Sequence, residues 1–307
     1  MAFDGVLKRL MRDELQTRID REHHVGTDFT LLHPNVFNNT AESVANDAAR
    51  ALLAGKDILN IYDDPKADFA IERKADNSPL TIADKRSHAR IMDELDATSI
   101  PVLSEEGRLT DYDKRKGWKT LWVVDPLDGT KEFIKRNGEF TVNIALVENG
   151  IPVLGVIYVP VSRTLYFSED SIGAYRIEDI DTRSAGLSPD DLMEQADRLP
   201  LEQADTKGFV VVASRSHLSP ETEEYIRKLE SEYGHVNLIS CGSSLKICRV
   251  AEGSADIYPR FAPTMEWDTA AGHAIVRASG KNIYLTDERT PLHYNKENLL
   301  NPWFIVK

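Results

Sequence analysis

Apolar residues recur every three to four positions from Thr40 to Tyr62, with polar residues between them. This spacing gathers the apolar side chains on one side of a helix, so the pattern predicts an amphipathic helix over 40–62. A second helix is predicted from Thr81 to about Leu95. Asp84 follows Thr81 by three residues, which is the spacing of a capping box at the start of that helix.

Runs of β-branched and aromatic residues predict the strands. The clearest pair is 140–147 and 151–159, because Asn149 and Gly150 between them form the dipeptide of a tight hairpin turn. Shorter runs predict further strands at 69–74, 101–107, 163–167 and 174–177.

The second half of the chain alternates predicted strands with predicted helices. Residues 178–207 are acidic and contain Gly186, Pro189 and Pro200, so a surface excursion with one short helix is expected there. Alternation of strands and helices after this point is typical of an α/β layer, and the predicted fold class is therefore α/β. The strands are predicted at 208–213, 236–240 and 255–260, and the helices begin at 219–220, at 242–246 and at 269.

We divide the chain into an N-terminal extension (1–39), an N-terminal α+β half (40–168) and a C-terminal α/β half (169–307). Apolar residues between Phe3 and Leu15 have helical spacing, which predicts a short amphipathic helix in the extension. The role of this helix stays open between a membrane-surface segment, an arm for oligomer formation, packing on its own domain and a loose terminus.

Composition restricts the classes of partner. The chain has 307 residues with 37 basic and 50 acidic side chains, which argues against general binding to nucleic acid or to anionic membrane. The two cysteines have no zinc-type spacing, so a reducing cytoplasm is the simplest location. We find no apolar stretch long enough to span a bilayer and expect no signal peptide.

The segment Asp125-Pro-Leu-Asp128-Gly-Thr130 follows directly on an apolar, β-branched run. Two carboxylates and the backbone carbonyl of Leu127 are ligands that hard divalent cations prefer. Pro126 restricts the backbone and Gly129 tolerates a tight turn, so the two carboxylates are able to converge. The alternative is an ordinary surface turn, because Asp, Pro and Gly are common turn residues.

Acidic residues also stand at other strand ends and helix starts. Carboxylates that meet in space repel one another and need cations between them, and a set without Cys or His indicates magnesium or manganese. Two such ions would polarise a phosphate, lower the pKa of a bound water and stabilise the leaving oxygen. Thr130 is a candidate for orienting that water and passing its proton to Asp84, although Asp84 and Asp268 have capping a helix as their simpler role. The candidate acidic residues are Asp84, Glu105, Asp125, Asp128 and Asp268.

Groups suited to an anionic substrate lie in the second half. Ser243 and Ser244 stand at a predicted helix N-terminus, where free backbone N–H groups favour phosphate, and Lys246 lies in the first turn. The alternatives are simple N-capping for Ser243 and a solvated helix face for Lys246. Further cationic candidates at strand ends are Arg215, His217 and Arg260.

These motifs resemble the signatures of the lithium-sensitive, magnesium-dependent inositol monophosphatase superfamily. The two signature segments are 125–130 and Glu266-Trp-Asp-Thr-Ala-Ala-Gly-His273. Within the superfamily, the resemblance is to the CysQ-type 3′(2′),5′-bisphosphate nucleotidases and extends from about residue 41 to the C-terminus. The segments that carry it are 77–84, 103–106, 129–143, 214–217, 242–246 and 258–260.

The resemblance implies a five-layered αβαβα sandwich of the inositol monophosphatase and fructose bisphosphatase type, with the site between its halves. It implies hydrolysis of adenosine 3′,5′-bisphosphate to AMP and phosphate, in sulfate assimilation and nucleotide recycling. The cofactor is two or three Mg²⁺ ions, with Mn²⁺ as a substitute. The metal ligands carried over are Glu105, Asp125, the Leu127 carbonyl, Asp128 and Asp268; the catalytic residues are Asp84, Thr130 and Glu105; the substrate-binding residues are Gly129, Thr130, His217, Ser243, Ser244, Lys246, Arg260 and Asp268.

The expected partner is a phosphorylated small molecule, adenosine 3′,5′-bisphosphate or its phosphosulfate analogue, and a homodimer and peripheral membrane association stay open. Three features depart from the bacterial pattern. The first 40 residues have no counterpart, the 178–207 excursion is enlarged, and the helix at 82–95 has its own sequence. They bear on oligomeric state and substrate range.

Three other functions are compatible with parts of the sequence. The first is an inositol phosphate phosphatase, against which Lys246 and Arg260 argue weakly because they suggest a second phosphate or a nucleotide to bind. The second is a non-catalytic phosphate-binding protein, which has no need of Thr130 with its acidic partners. The third is a calcium-binding structural module, but the acidic turn lacks the ligand spacing of such loops.

Overall fold

The computed structural model describes residues 40–74, 77–202, 208–214 and 219–307. The predicted helix of the N-terminal extension lies outside these residues. The helices are α1 (Thr40–Tyr62), α2 (Ile82–Leu95), α3 (Tyr112–Arg115), α4 (Thr130–Ile134), α5 (Pro189–Glu194), α6 (Pro220–Tyr233), α7 (Leu245–Ala251) and α8 (Glu266–Ala278).

The strands form four sheets in the described part of the chain. They are β1 (Glu72–Arg73), β2 (Pro79–Leu80), β3 (Val102–Ser104), β4 (Thr120–Asp128), β5 (Thr141–Glu148), β6 (Ile151–Val159), β7 (Thr164–Glu169), β8 (Gly173–Ile177), β9 (Asp197–Arg198), β10 (Phe209–Ser214), β11 (Val236–Cys241), β12 (Tyr258–Arg260), β13 (Ile283–Leu285) and β14 (Phe304–Val306).

A seven-stranded sheet is the centre of the molecule, and its strands follow chain order from β3 to β9. The β3–β4 pair is parallel and every following pair is antiparallel. The predicted hairpin of β5 and β6 is confirmed, with Asn149 and Gly150 both at positive φ as a tight primed turn requires. Strands β8 and β9 continue the sheet beyond residue 168, and the division of the chain at 168/169 stays a prediction.

Helices cover both faces of this sheet. The apolar side of α1 packs with α2 on one face, and both helices have the predicted bounds. Helices α7 and α8 pack on the other face and separate the large sheet from β10 and β11. Helix α6 then covers β11 and β12 on the outside. The order of layers is that of an αβαβα sandwich, as the family resemblance implied.

A glycine allows α8 to lie directly on the large sheet. A Cβ atom added to Gly155 in β6 would stand 2.3 Å from the carbonyl oxygen of Ala271 in α8. Any larger residue would therefore push the helix outward, because packed interiors have no spare volume. The close approach matters for the site, since α8 contributes Asp268 from its first turn.

Four local predictions need correction, and the first is the strand expected at 255–260, which is reduced to Tyr258–Arg260. The strand expected at 69–74 is reduced to Glu72–Arg73, and that at 101–107 to Val102–Ser104. Helix α8 begins at Glu266 and includes Asp268, because Met265 is the N-cap.

The 178–207 segment contains the expected short helix, α5, together with a 3-10 turn (Thr182–Gly186) and β9. The side chains of Ile180, Leu192 and Leu199 are buried, so the described part of this segment is anchored to the fold. Among the described residues, no helix combines the length and apolar character needed to cross a bilayer.

Candidate active site

The end of β4 has an irregular backbone. Asp125 pairs with Asn143 and Asp128 pairs with Thr141, so three steps along β4 match two steps along β5. In a regular strand, side chains three residues apart point to opposite faces. The bulge removes this alternation, and both carboxylates reach the same place. The backbone N–H of Leu127 donates to Oδ1 of Asp125 (3.1 Å), which stabilises the turn.

Three predicted metal ligands from distant parts of the chain form one acidic cluster. Carboxylate oxygens of Asp125, Asp128 and Asp268 all lie within 4.8 Å of one another. Asp268 is oriented by a capping box, in which its Oδ2 accepts the backbone N–H of Met265 (2.9 Å). We refer to these three residues as the acidic cluster.

The electrostatics of the acidic cluster favour the binding of a positive charge. Burial and then the charges of Glu105, Asp128 and Asp268 raise the pKa of Asp125 well above its ordinary range. Burial and the charge of Asp128 raise the pKa of Asp268 in the same way. A divalent cation removes this penalty by pairing with the carboxylates. The donor set consists of oxygen atoms alone, which fits Mg²⁺ or Mn²⁺ better than a softer metal ion.

Glu105, the fourth predicted acidic ligand, lies beside Asp125 but is paired with a lysine. Nζ of Lys74 is 2.7 Å from Oε1 of Glu105 and also donates to Glu106. Burial raises the pKa of Glu105, and Lys74 opposes that rise. Lys74 was not among the predicted site residues; it follows β1 and meets Glu105 only through the tertiary fold. Its one sequence signal is a cation just before the 77–84 segment.

Asp84 and Thr130 meet, as the sequence analysis required of a catalytic pair. Oγ1 of Thr130 donates to Oδ1 of Asp84 (3.1 Å) and lies 3.4 Å from the Leu127 carbonyl. The other carboxylate oxygen of Asp84 accepts the N–H (2.7 Å) and hydroxyl (2.5 Å) of Thr81. Capping and contact with Thr130 therefore use different oxygens of one carboxylate. Burial raises the pKa of Asp84, and hydrogen bonds from Thr81 limit the rise.

The two serines before α7 act differently from the simple N-cap considered above. The hydroxyls of Ser243 and Ser244 both donate to Oδ2 of Asp128, at 2.6 Å each. Neither caps α7 with its side chain. Two buried polar residues of β5 support them: Thr141 contacts Ser243 (2.7 Å), and Asn143 donates to Ser244 (2.8 Å). A polar residue between the apolar residues Val142 and Ile144 was the available signal for Asn143.

The cationic candidates have different surroundings. Nζ of Lys246 is buried and donates to the carbonyls of Ser243 (2.6 Å) and Cys241 (3.3 Å). Arg260 lies near Asp268 and lowers its pKa, while its own Nε is buried without a hydrogen-bond partner among the described residues. Arg215 and His217 lie outside the described residues.

A cavity of about 450 Å³ opens beside the acidic cluster. This volume is in the usual range for pockets that bind small molecules. Glu139 in the lining contacts the loop before α7, because its Oε2 accepts the backbone N–H of Gly242 (2.9 Å). The described lining includes the predicted residues Asp128, Gly129, Ser243, Ser244, Lys246, Arg260 and Asp268, and also Lys131, Glu132, Lys135, Asn137 and Glu139.

The fold and this site define a family. Residues 39–302 match the model of the inositol monophosphatase family, and the chain belongs to that family. It is a metal-dependent family, in keeping with an acidic triad able to bind a metal ion.

Individual relatives are more specific. The chain is 45% identical over 256 residues to the 3′(2′),5′-bisphosphate nucleotidase CysQ of Shigella flexneri, covering 82% of this chain and 94% of that protein. Among solved structures, CysQ from Bacteroides thetaiotaomicron is similar with 60% identity and a TM-score of 0.79, covering 85% of this chain and 96% of that one. The suppressor protein SuhB of Bartonella henselae has 23% identity and a TM-score of 0.62, and shares the fold.

Proposed function

We propose that this protein is a magnesium-dependent 3′(2′),5′-bisphosphate nucleotidase that hydrolyses adenosine 3′,5′-bisphosphate to AMP and phosphate. The observation that carries the proposal is the position of the acidic cluster. It lies at one end of a nucleotide-sized cavity, with the Asp84–Thr130 pair beside it. Relatives named CysQ with 45% and 60% identity support the choice of substrate.

The acidic cluster would hold the metal ions together with Glu105 and the carbonyl of Leu127. We expect two or three Mg²⁺ ions, with Mn²⁺ as a substitute. When bound, the ions supply positive charge to the phosphate that is cleaved and lower the pKa of water. Ser243 and Ser244 orient Asp128, so their proposed role is to support a metal ligand rather than to contact phosphate directly.

The chain's own residues supply the proton path. The Thr130 hydroxyl donates to Asp84, so its oxygen has lone pairs free to accept a proton from an attacking water. The proton then passes through Thr130 to Asp84. Burial raises the affinity of Asp84 for protons, which suits a general base.

Other residues of the cavity lining bind substrate. Lys246 uses two of its three N–H donors on backbone carbonyls and retains one for the ligand. Arg260 and the backbone at Gly129 line the same cavity, and His217 is assigned here by the family resemblance. We place the reaction in the removal of a by-product of sulfate assimilation, with the phosphosulfate analogue as a second substrate.

The decisive experiment compares phosphate release from adenosine 3′,5′-bisphosphate and from inositol 1-phosphate, with Mg²⁺ and after chelation. We expect a higher kcat/KM for the bisphosphate and no turnover with EDTA until Mg²⁺ is restored. Asp190→Asn is a matched control for carboxylate substitutions, because Asp190 is exposed on α5. A higher kcat/KM for inositol 1-phosphate would contradict the proposed substrate. Full activity in EDTA would contradict the metal-dependent mechanism.

A further inference from the structure

Two lysines on the rim of the cavity have no role in the function proposed above. Lys131 and Lys135 line the cavity that also contains Asp128 and Asp268. Both side chains are exposed. The backbone N–H of Lys135 donates to the carbonyl of Lys131 (3.0 Å), so the residues are one helical turn apart and share a face.

The orientation of this face is determined by packing on the opposite side of α4. Phe133 is fully buried. The centroid of its ring lies 4.7 Å from that of Phe69 and 5.4 Å from those of Tyr62 and Phe140. Rotation of α4 would remove Phe133 from this aromatic group, which a packed core resists. The two lysines are therefore held on the cavity side by a buried anchor between them in the sequence.

Neither ammonium group has an ion pair or hydrogen bond within the described part of the chain. Other cations near the site are already paired: Lys74 binds Glu105, and Arg136 donates to the carbonyl of Tyr62. Like charges one turn apart repel each other. In a chain with a net charge of -13, two unpaired cations facing one cavity indicate that an anion binds there.

The other two cations in the described lining of the cavity are placed for a different task. Lys246 donates to backbone carbonyls of the loop before α7, and Arg260 lies near Asp268. Both are therefore close to the acidic cluster, where the reacting phosphate would bind. Lys131 follows the catalytic candidate Thr130, and Lys135 lies roughly 6 Å further along the helix axis.

We propose that Lys131 and Lys135 bind the phosphate that is not hydrolysed, and that they set a preference for bisphosphates over monophosphates. This inference rests on the proposed function, because it assumes that the other phosphate lies at the acidic cluster. Ammonium–phosphate hydrogen bonds are charge-assisted, and two lysines matched to one dianionic group provide more selectivity than shape alone.

The test uses two substrates that share the scissile phosphate. We measure kcat/KM for adenosine 3′,5′-bisphosphate and for adenosine 3′-monophosphate. The enzymes are the wild type, Lys131→Gln, Lys135→Gln, the variant with both glutamine substitutions and the variant with arginine at both positions. Lys56→Gln is the control, since Lys56 is an exposed helical lysine with no side-chain partner in the described part of the chain. Thermal unfolding of each variant checks that the fold is retained.

We expect the double glutamine variant to lose about tenfold in kcat/KM for the bisphosphate, mostly through KM, with a much smaller loss for the monophosphate. The double arginine variant should retain the wild-type ratio of kcat/KM for the bisphosphate to kcat/KM for the monophosphate. Lys56→Gln should retain it as well. If the wild type hydrolyses the bisphosphate and the double glutamine variant has the same ratio of kcat/KM for bisphosphate to kcat/KM for monophosphate, only the lysine assignment is overturned. Absence of bisphosphate turnover in the wild type would overturn both this inference and the proposed function.

Discussion

Replacing Asp125 by asparagine should inactivate the enzyme and at the same time stabilise its metal-free form. The substitution keeps the shape of the side chain and an oxygen to accept the N–H of Leu127. It removes a buried charge that lies within 4.8 Å of the carboxylates of Asp128 and Asp268. The metal-free wild type therefore contains a repulsion that the variant lacks.

The size of the effect follows from the spacing of the acidic cluster. At 4.8 Å and an effective dielectric constant of about 20, each pair of unit charges repels by about 3.5 kcal/mol. Asp125 takes part in two such pairs, but the raised pKa values mean that the cluster also takes up protons, which relieves part of this repulsion. We expect a net gain of about 2–3 kcal/mol, or a rise in Tm of roughly 4–10 °C.

The assay is thermal unfolding in EDTA and in Mg²⁺, beside phosphate release. In EDTA, Asp125→Asn should melt above the wild type, and Asp190→Asn should match the wild type. In Mg²⁺ the wild type should gain stability by binding the ion, whereas the variant should gain less. A variant that melts below the wild type in EDTA, or that keeps near-normal turnover, would refute the electrostatic account of the cluster.

Three further predictions concern single residues. Thr130→Val should lower kcat by about 10²–10³-fold while Thr130→Ser stays within about tenfold, because serine keeps the hydroxyl that contacts Asp84; equal loss in both would exclude a proton path through the hydroxyl. Ser244→Ala should weaken Mg²⁺ activation about tenfold or more, since the hydroxyl orients Asp128; an unchanged Mg²⁺ dependence would disprove this role. Burial lowers the pKa of His273 from 6.5 to about 3, so the unfolded chain binds a proton there that the folded chain does not. Stability should therefore fall by about 1.4 kcal/mol per pH unit as pH falls from 6.5 toward 3, and urea unfolding of His273→Gln should show a shallower loss over that window.

The secondary structure near the site was largely predictable because its signals are local. The capping box at Thr81 and Asp84 depends on residues three positions apart, and it forms as predicted. Helix α1 and the β5–β6 hairpin likewise follow from short-range periodicity and turn chemistry. The same locality explains why the boundary of α8 was placed wrongly, since Asp268 fits both a position before the helix and one inside its first turn.

The partners within the site were decided by the tertiary fold. Ser243 and Ser244 were predicted to bind phosphate, with N-capping as the alternative for Ser243. Their contact with Asp128 was not predictable, because β4 brings that carboxylate to them from more than a hundred residues away. Lys74 reached Glu105 in the same way, and its importance was not evident from its neighbours in the chain. For Lys131 and Lys135, a buried phenylalanine and an adjoining cavity distinguish a binding face from an ordinary solvated one.

The sequence by itself therefore determined the types of chemistry present: oxygen ligands for a hard cation, a hydroxyl beside an acid and a set of cations for an anionic ligand. Only the tertiary structure decided which of these groups meet. The bulge in β4 and the close approach of α8 to Gly155 bring Asp125, Asp128 and Asp268 together. The physical reason is that charge interactions depend on distance in space, which sequence spacing specifies only within a few turns of a helix or one hairpin.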